Sequence, residues 1–315
     1  MTQNKLPKVW FHVSISWGYE NGFKNSQSIG SSTLQIFTKS PKVWKLPCID
    51  EHNLIDINKT RSSYGQVGGI VHSSYLANLA KSPEEAIPDT TNVIFDMKVW
   101  YLLGYDAINV HIGKSAWRYT SQQAMENMQI NVKNIIESSK KNWHSIKFLF
   151  ENTAWQGSEL WSNLSELAIL YNDYMWGLNI GFCIDTAHLQ WGGIDIENRK
   201  DFVDERDKKI GIQNLQCIHL NDSKVPLWAR LDRHANLGRW FIGMKKLSNV
   251  IKRAYKNDIT MIIETPDETR YSTELKMVQD IIIDKFDIEK RDYENNYQDI
   301  LPKFKDIAHQ KNSLF

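Results

Sequence analysis

Cysteine is scarce in this 315-residue chain: Cys48, Cys183 and Cys217 are an odd number and form no CxxC pair. That argues against a disulfide framework. Two of the three lie in apolar strand-like runs, where buried free thiols of a reducing compartment are expected. An excess of one charge is missing too. Lys and Arg number 38 against 37 Asp and Glu, so the formal net charge is +1 and no global field advertises nucleic acid, although a local patch stays open. No run approaches the roughly 20 apolar residues of a membrane helix. The N-terminal "MTQNKLPKVWFHVS" lacks the continuous apolar segment of a secretory signal. No linker rich in Pro, Gly or Ser divides the chain, and no internal repeat is visible. These absences leave a soluble, intracellular protein as the expectation, with 42% hydrophobic residues to fill a large core.

What is present is an alternation. Short apolar runs recur at "KVWFHVS" (8–14), "STLQIFT" (32–38), "VGGIVHS" (67–73), "AINVHIG" (107–113), "IKFLFEN" (146–152), "IGFCIDT" (180–186), "LQCIHLN" (215–221) and "TMIIETP" (260–266). Each is rich in apolar or β-branched residues and ends in polar or turn-forming ones, as strands do. Between them lie helical patterns, clearest in "NVIFDMKVWYLLG", "MENMQINVKNIIESSKK" and "MKKLSNVIKRAYKN". Eight strands alternating with helices predict an α/β fold, a single (β/α)8 TIM barrel, with a doubly wound open sheet as competitor. Residues 1–268 are assigned to the barrel and 269–315 to a charged, helical C-terminal extension packed on it.

The strand ends carry unusual residues. The third ends at His72, the fourth at His111, the fifth at Glu151, the sixth at Asp185 and His188, the seventh at His219 and the eighth at Glu264; Asp232 and His234 follow in "RLDRHANLG". In a barrel all these ends open on one face, where active sites are built. Each residue has a bland reading alone. Asp185 suits an N-cap, Glu151 a cap or an Arg partner, and a single strand-end His a satisfied structural role. Taken together, the bland readings leave nine unrelated polar residues on one face.

A metal cluster accounts for all nine. Imidazole and carboxylate suit zinc, and also manganese or iron. Nine ligands are too many for one tetrahedral ion, and three ions fit if one carboxylate bridges. Two Asp and two Glu supply −4 against +6 from three divalent ions. The remaining positive charge would favour an anionic phosphodiester. Water on such an ion, its pKa lowered to about 7, is the expected nucleophile.

The motifs "ENTAWQG", "GFCIDTAH", "IHLNDSK", "RLDRHANLG" and "MIIETPD", in this order, resemble endonuclease IV, the zinc-dependent apurinic/apyrimidinic (AP) endonucleases. "HVSISWGYENG", "LQIFTKS" and "VHSSYLANLA" agree, so the resemblance spans roughly residues 8–267. It implies a TIM barrel with a trinuclear zinc centre that cleaves double-stranded DNA 5′ of an abasic site, leaving a 3′-hydroxyl for base excision repair. One zinc would take His72, His111 and Glu151. A second would share Glu151 and add Asp185, His219 and Glu264. The third would take His188, Asp232 and His234. Glu151 and Glu264 carry the catalytic expectation, and a monomer is expected.

The resemblance also nominates DNA contacts. Lys42 stands where the family usually has Arg, keeping the charge without the planar fork. Tyr75 and Leu76 match residues that wedge into the duplex, though helix packing is the ordinary reading of Tyr75. Lys224 and Arg233 are phosphate candidates, with simple solvation as the ordinary reading of surface basic residues. Departures cluster nearby: Arg239, Trp240 and Phe241 replace Gly-Glu-Gly, Ile112 replaces Pro, Trp155 replaces Gly, and Trp191 is added. Such aromatics either plug the barrel mouth, the favoured expectation, or stack on bases. The alternatives are a metal-dependent sugar isomerase of the same barrel type, which uses fewer ligands, and an inactive DNA-binding relative, which would have lost some.

Overall fold

All eight apolar runs form strands, and the strands close on themselves. The computed structural model describes residues 8–111, 113–140, 147–160, 164–175, 177–196 and 211–286. β1 (Val9–His12), β2 (Thr33–Phe37), β3 (Gly68–His72), β4 (Ala107–His111), β5 (Phe148–Glu151), β6 (Ile180–Asp185), β7 (Leu215–His219) and β10 (Thr260–Ile263) make a closed, all-parallel barrel. The open-sheet alternative is therefore excluded. A two-stranded ribbon, β8 (Asp222–Ser223) and β9 (His234–Ala235), interrupts the order after β7. Helices α1 (Tyr19–Ile29), α2 (Glu51–Thr60), α3 (Ile87–Leu103), α4 (Ser121–Lys140), α5 (Leu164–Ile169), α6 (Thr186–Trp191), α7 (Gly243–Lys256) and α8 (Tyr271–Ile282) follow the strands.

The periodicity of the strands explains both the core and the site. Side chains alternate across a strand, so one set faces the helices and the other the barrel axis. Phe11, Leu34, Ile36, Val71, Ile108, Phe150, Phe182, Ile218 and Met261 belong to the large core shared with the helices. Trp10, Ile70, Ala107, Leu149, Cys183, Cys217 and Ile262 form a separate small cluster, the plug inside the barrel. Cys183 and Cys217 are buried free thiols as expected, and burial pushes the Cys183 thiol well up; Cys48 is exposed. Two residues beyond each plug residue stand His12, His72, Asn109, Glu151, Asp185, His219 and Glu264. The same alternation that fills the axis with apolar groups thus tops it with ligands.

Helix α8 packs against β1, α1 and α7, so the eighth strand is followed by a helix of its own. The remainder of the assigned extension, 287–315, lies outside the described residues. Among the described residues no helix is long and apolar enough to cross a membrane.

Candidate metal centre

Parallel pairing sets the ligands side by side. His111 pairs in register with Glu151 on β5, and Asp185 on β6 pairs with His219 on β7. Glu151 is buried at the hub. Its Oε2 lies 3.3 Å from His72 Nε2 and 3.7 Å from His111 Nε2, and its Oε1 lies 3.1 Å from His219 Nδ1 and 3.2 Å from His188 Nδ1. His219 Nδ1 is also 3.1 Å from Glu264 Oε2 and 3.8 Å from Asp185 Oδ2. Asp185 Oδ2 is 3.4 Å from His234 Nε2. Among the described residues four groups bring three donor atoms within reach of one ion: His72, Glu151 and His219; Asp185, His219 and Glu264; Asp185, His188 and His234; and Cys183, Cys217 and His219. His111 joins through Glu151. Asp232 is half-exposed on the rim, 4.0 Å from His234, the loosest member of the set.

Several imidazoles are held by one nitrogen with the other turned inward. His72 Nδ1 donates to the Ser73 carbonyl at 2.7 Å, leaving Nε2 toward Glu151. His188 Nδ1 donates to the Asn152 carbonyl at 2.7 Å, which leaves Nε2 as its ligand atom. His219 donates from Nε2 to Gln35 Oε1 at 3.1 Å, so Nδ1 faces the carboxylates. Outer-shell bonds of this kind orient metal-ligating histidines. His234 Nε2 is buried with no hydrogen-bond partner. An imidazole nitrogen with no hydrogen-bond partner, 3.4 Å from buried Asp185 and 4.0 Å from Asp232, fits a cation, and the N/O donors around it suit zinc, manganese or iron.

Asp185 divides its two oxygens between the cap and the cluster. Its Oδ1 caps α6, accepting from Ala187 and His188 N–H at 2.6 and 3.0 Å, while Oδ2 faces His219 and His234. Asn221 Nδ2 donates to Oδ2 at 2.7 Å. One carboxylate can serve as cap and ligand because it has two oxygens.

The electrostatics are those of a cation site filled with protons. Burial opposes charge on His234, but Asp185 beside it outweighs this and raises its pKa to about 9. His219 is likewise raised by Glu151 and Glu264 against the cost of burial. Burial also works against ionised Glu151 and Glu264, yet the facing imidazoles hold both well below the usual carboxylate range. His111 goes the other way: burial pushes it down to about 4, leaving a neutral imidazole.

The structure adds residues that motif reading passed over. Gln35 on β2 donates to Glu264 Oε1 at 2.5 Å while accepting from His219, and His12 Nδ1 lies 3.2 Å from Glu264. Asn109 Nδ2 donates to Glu151 Oε2 at 2.7 Å. One signal was available: His12 ends β1 as the ligand candidates end their strands, whereas Gln35 lies in the middle of β2 and carries no such mark. Buried Asp96 on α3 has no such signal. It accepts from Thr38, Lys39 and Ser73, tying the loops after β2 and β3 together.

Those two loops carry Lys42, which is exposed, and Tyr75 and Leu76. Tyr75 is 46% exposed, its ring 5.1–5.6 Å from Phe37, His72 and His111, so it stands over the mouth rather than in a helix. With His111 and Asp232 it lines a cleft of about 210 Å³. Lys224 and Arg233 face each other across the ribbon, Lys224 N–H donating to the Arg233 carbonyl at 2.9 Å. Arg233 is exposed and reaches back to the Asp232 carbonyl at 2.6 Å.

The ribbon is anchored by Asp222, buried and with no role in the motif reading. Its carboxylate accepts from the N–H groups of Ser223 (2.7 Å), Trp240 (3.1 Å), Ile242 (2.9 Å) and Gly243 (3.4 Å). Burial lifts it to about 6 although these donors pull the other way. Asp222→Ala should lower the unfolding free energy by about 3 kcal/mol, the cost of leaving two or three buried donors unpaired. Urea denaturation reads this directly, and an unchanged midpoint would show that water replaces the carboxylate.

Trp191, unexplained by the motifs, is fully buried. Its ring stacks on His234 (5.3 Å, 15°), and its Nε1 donates to Ser223 Oγ at 2.7 Å. It packs beside the His188–His234 group with no face left for a base.

The fold and this ligand-crowded mouth define a metal-dependent α/β barrel. Residues 23–281 match the family of xylose isomerase-like TIM barrels. A probable endonuclease 4 of Persephonella marina is 35% identical over 271 residues, 83% of this chain and 92% of that protein. Another, of Phocaeicola vulgatus, is 30% identical over 278 residues, 87% of this chain and 99% of that protein. The crystal structure of endonuclease IV from Thermus thermophilus superposes with a TM-score of 0.75 at 25% identity, covering 88% of this chain and all of that one. A D-tagatose 3-epimerase-like protein superposes at 0.67 with 18% identity and shares the fold. Within the xylose isomerase-like barrels, this chain belongs to the endonuclease IV family.

Proposed function

We propose that the protein is an AP endonuclease that hydrolyses the DNA phosphodiester 5′ of an abasic site and leaves a 3′-hydroxyl for base excision repair. The observation that carries this is the convergence of His72, His111, Glu151, Asp185, His188, His219, Asp232, His234 and Glu264 on one barrel mouth. The endonuclease 4 relatives, matching over most of the chain, support the reaction. A sugar isomerase of this fold would leave much of the set idle.

His72, His111 and Glu151 would hold one zinc; Glu151, Asp185, His219 and Glu264 a second; His188, Asp232 and His234 a third. Zinc ions there would polarise a bound phosphate and acidify water, with manganese or iron as substitutes. The chain's own groups do the rest. Glu151, at the hub, accepts a hydrogen bond from the attacking water and orients it. Gln35 and His12 hold Glu264 opposite. Trp191 excludes solvent from behind His234. Lys42, Lys224 and Arg233 meet DNA phosphates, and Tyr75 and Leu76 wedge beside the lesion.

Metal-loaded protein should nick a duplex carrying one abasic analogue and leave the undamaged duplex whole. Tyr75→Ala should weaken binding of the abasic duplex about tenfold more than that of the undamaged one, the size of one lost stacking contact. Cutting both duplexes alike would overturn the assignment, and equal binding losses would reduce Tyr75 to a generic contact.

A further inference from the structure

Among the described residues, tryptophans gather in the loops that follow the barrel strands. Trp17 follows β1, Trp44 follows β2, Trp117 follows β4, Trp155 follows β5 and Trp228 follows β7. Because all barrel strands are parallel, these loops lie on the same face as the ligands. Trp17 is 100% exposed, Trp117 83%, Trp228 55% and Trp44 43%. An indole left in water contributes little to folding, so exposure on this scale asks for another explanation.

The backbone makes the point stronger. Trp17 (φ 73°), Trp117 (φ 59°), Trp155 (φ 57°) and Trp228 (φ 69°) sit in the left-handed region that favours glycine. Strained residues of this kind persist where the surroundings over-determine them, and they cluster at ligand sites. Trp228 is seated rather than loose. Its N–H donates to the Gln190 carbonyl at 3.1 Å, and a Cβ at Gly193 would fall 2.1 Å from its ring, so that glycine is its bed. Trp155 lies 5.9 Å from Trp228, and the Arg230 guanidinium stacks on it at 4.1 Å. Lys81 stands 5.8 Å over Trp44 while pairing with Asp89 at 2.9 Å, and Arg118, which follows Trp117 in the chain, pairs with Glu85 at 3.5 Å.

We propose that this rim is a platform for unpaired nucleobases, so that the enzyme takes abasic sites flanked by single-stranded DNA in addition to those in duplex. The substrate reading extends the proposed function and rests on it. Fixed indoles interleaved with basic side chains are what single strands bind: each base stacks on a ring while the backbone meets positive charge. Bases inside a duplex keep their faces covered by neighbours and offer only edges, so a duplex leaves such rings unused. The Arg230 guanidinium on Trp155 favours nucleic acid over an apolar protein partner.

The test uses the full-length, metal-loaded protein and an undamaged oligothymidylate of about 12 nucleotides. The oligonucleotide should quench tryptophan fluorescence and bind more tightly than an undamaged duplex of equal length. Trp117→Ala and Trp228→Ala should each weaken that binding about tenfold. Both should also lower cleavage of an abasic site in a single strand by about tenfold more than cleavage of the same site in duplex. Trp→Phe at either position should restore part of the binding, and Gly193→Ala, which displaces the Trp228 ring, should reproduce part of the loss. Absent quenching, or equal losses on single strand and duplex, would overturn the platform. If no abasic substrate of either form is cut, the endonuclease reading fails instead, and the oligothymidylate binding still decides the rim.

Discussion

Stripping divalent ions from the protein is expected to abolish abasic-duplex cleavage and to leave the fold in place. The barrel is held by an apolar core running from Phe11 to Ile281, and the plug beneath the ligands is apolar too. Neither needs a cation. The mouth does: Glu151, Asp185 and Glu264 are gathered there, and these carboxylates raise the pKa of His219 and His234, favouring protons on both in the absence of metal. Metal binding must displace those protons. Activity lost on chelation should return with zinc and reach its plateau as about three equivalents are retained per chain, the number the proposed ligand sets call for. Circular dichroism should barely change throughout. A plateau at one equivalent, or full activity in excess chelator, would sink the trinuclear reading.

Glu151→Gln should lower cleavage by about a thousandfold or more, at least the effect of removing one dominant electrostatic contact from an active site. The carboxylate meets four imidazoles, His72, His111, His188 and His219, and accepts from Asn109. A glutamine keeps the shape but removes the charge and turns N–H groups toward ring nitrogens. Metal content should fall by about one equivalent with it, because the proposed bridge is gone. The unfolding temperature should move little, since relief of crowded charge offsets the lost contacts. Wild-type metal content together with near-wild-type turnover would take Glu151 out of the centre.

Much of this was readable from one chain. The eight apolar runs contain all eight barrel strands, because burial imposes a local pattern of period two that survives in any tertiary context. The ligands could be named because each lies at or just beyond a strand end, apart from Asp232 and His234 on the ribbon. His12 obeys the same rule, yet no metal motif marks it, and Gln35 lies mid-strand in β2 where no rule points to it. Asp96 and Asp222 were invisible for a different reason: a buried Asp bonded to loops looks in sequence like any helix or turn Asp. The tryptophans show the limit most plainly. Trp191 and Trp228 are alike as letters, but one is sealed under His234 and the other lies open on Gly193.

The sequence by itself determined the barrel, the identity of the nine candidate ligands and the face on which they meet, since periodicity and side-chain chemistry are carried by residues a few positions apart. Only the tertiary structure decided which oxygen of Asp185 caps and which faces the cluster, which nitrogen of His219 is left free by Gln35, and which indoles are plugs and which are surface. Those outcomes depend on distances between residues tens to hundreds of positions apart, which exist only once the barrel has closed.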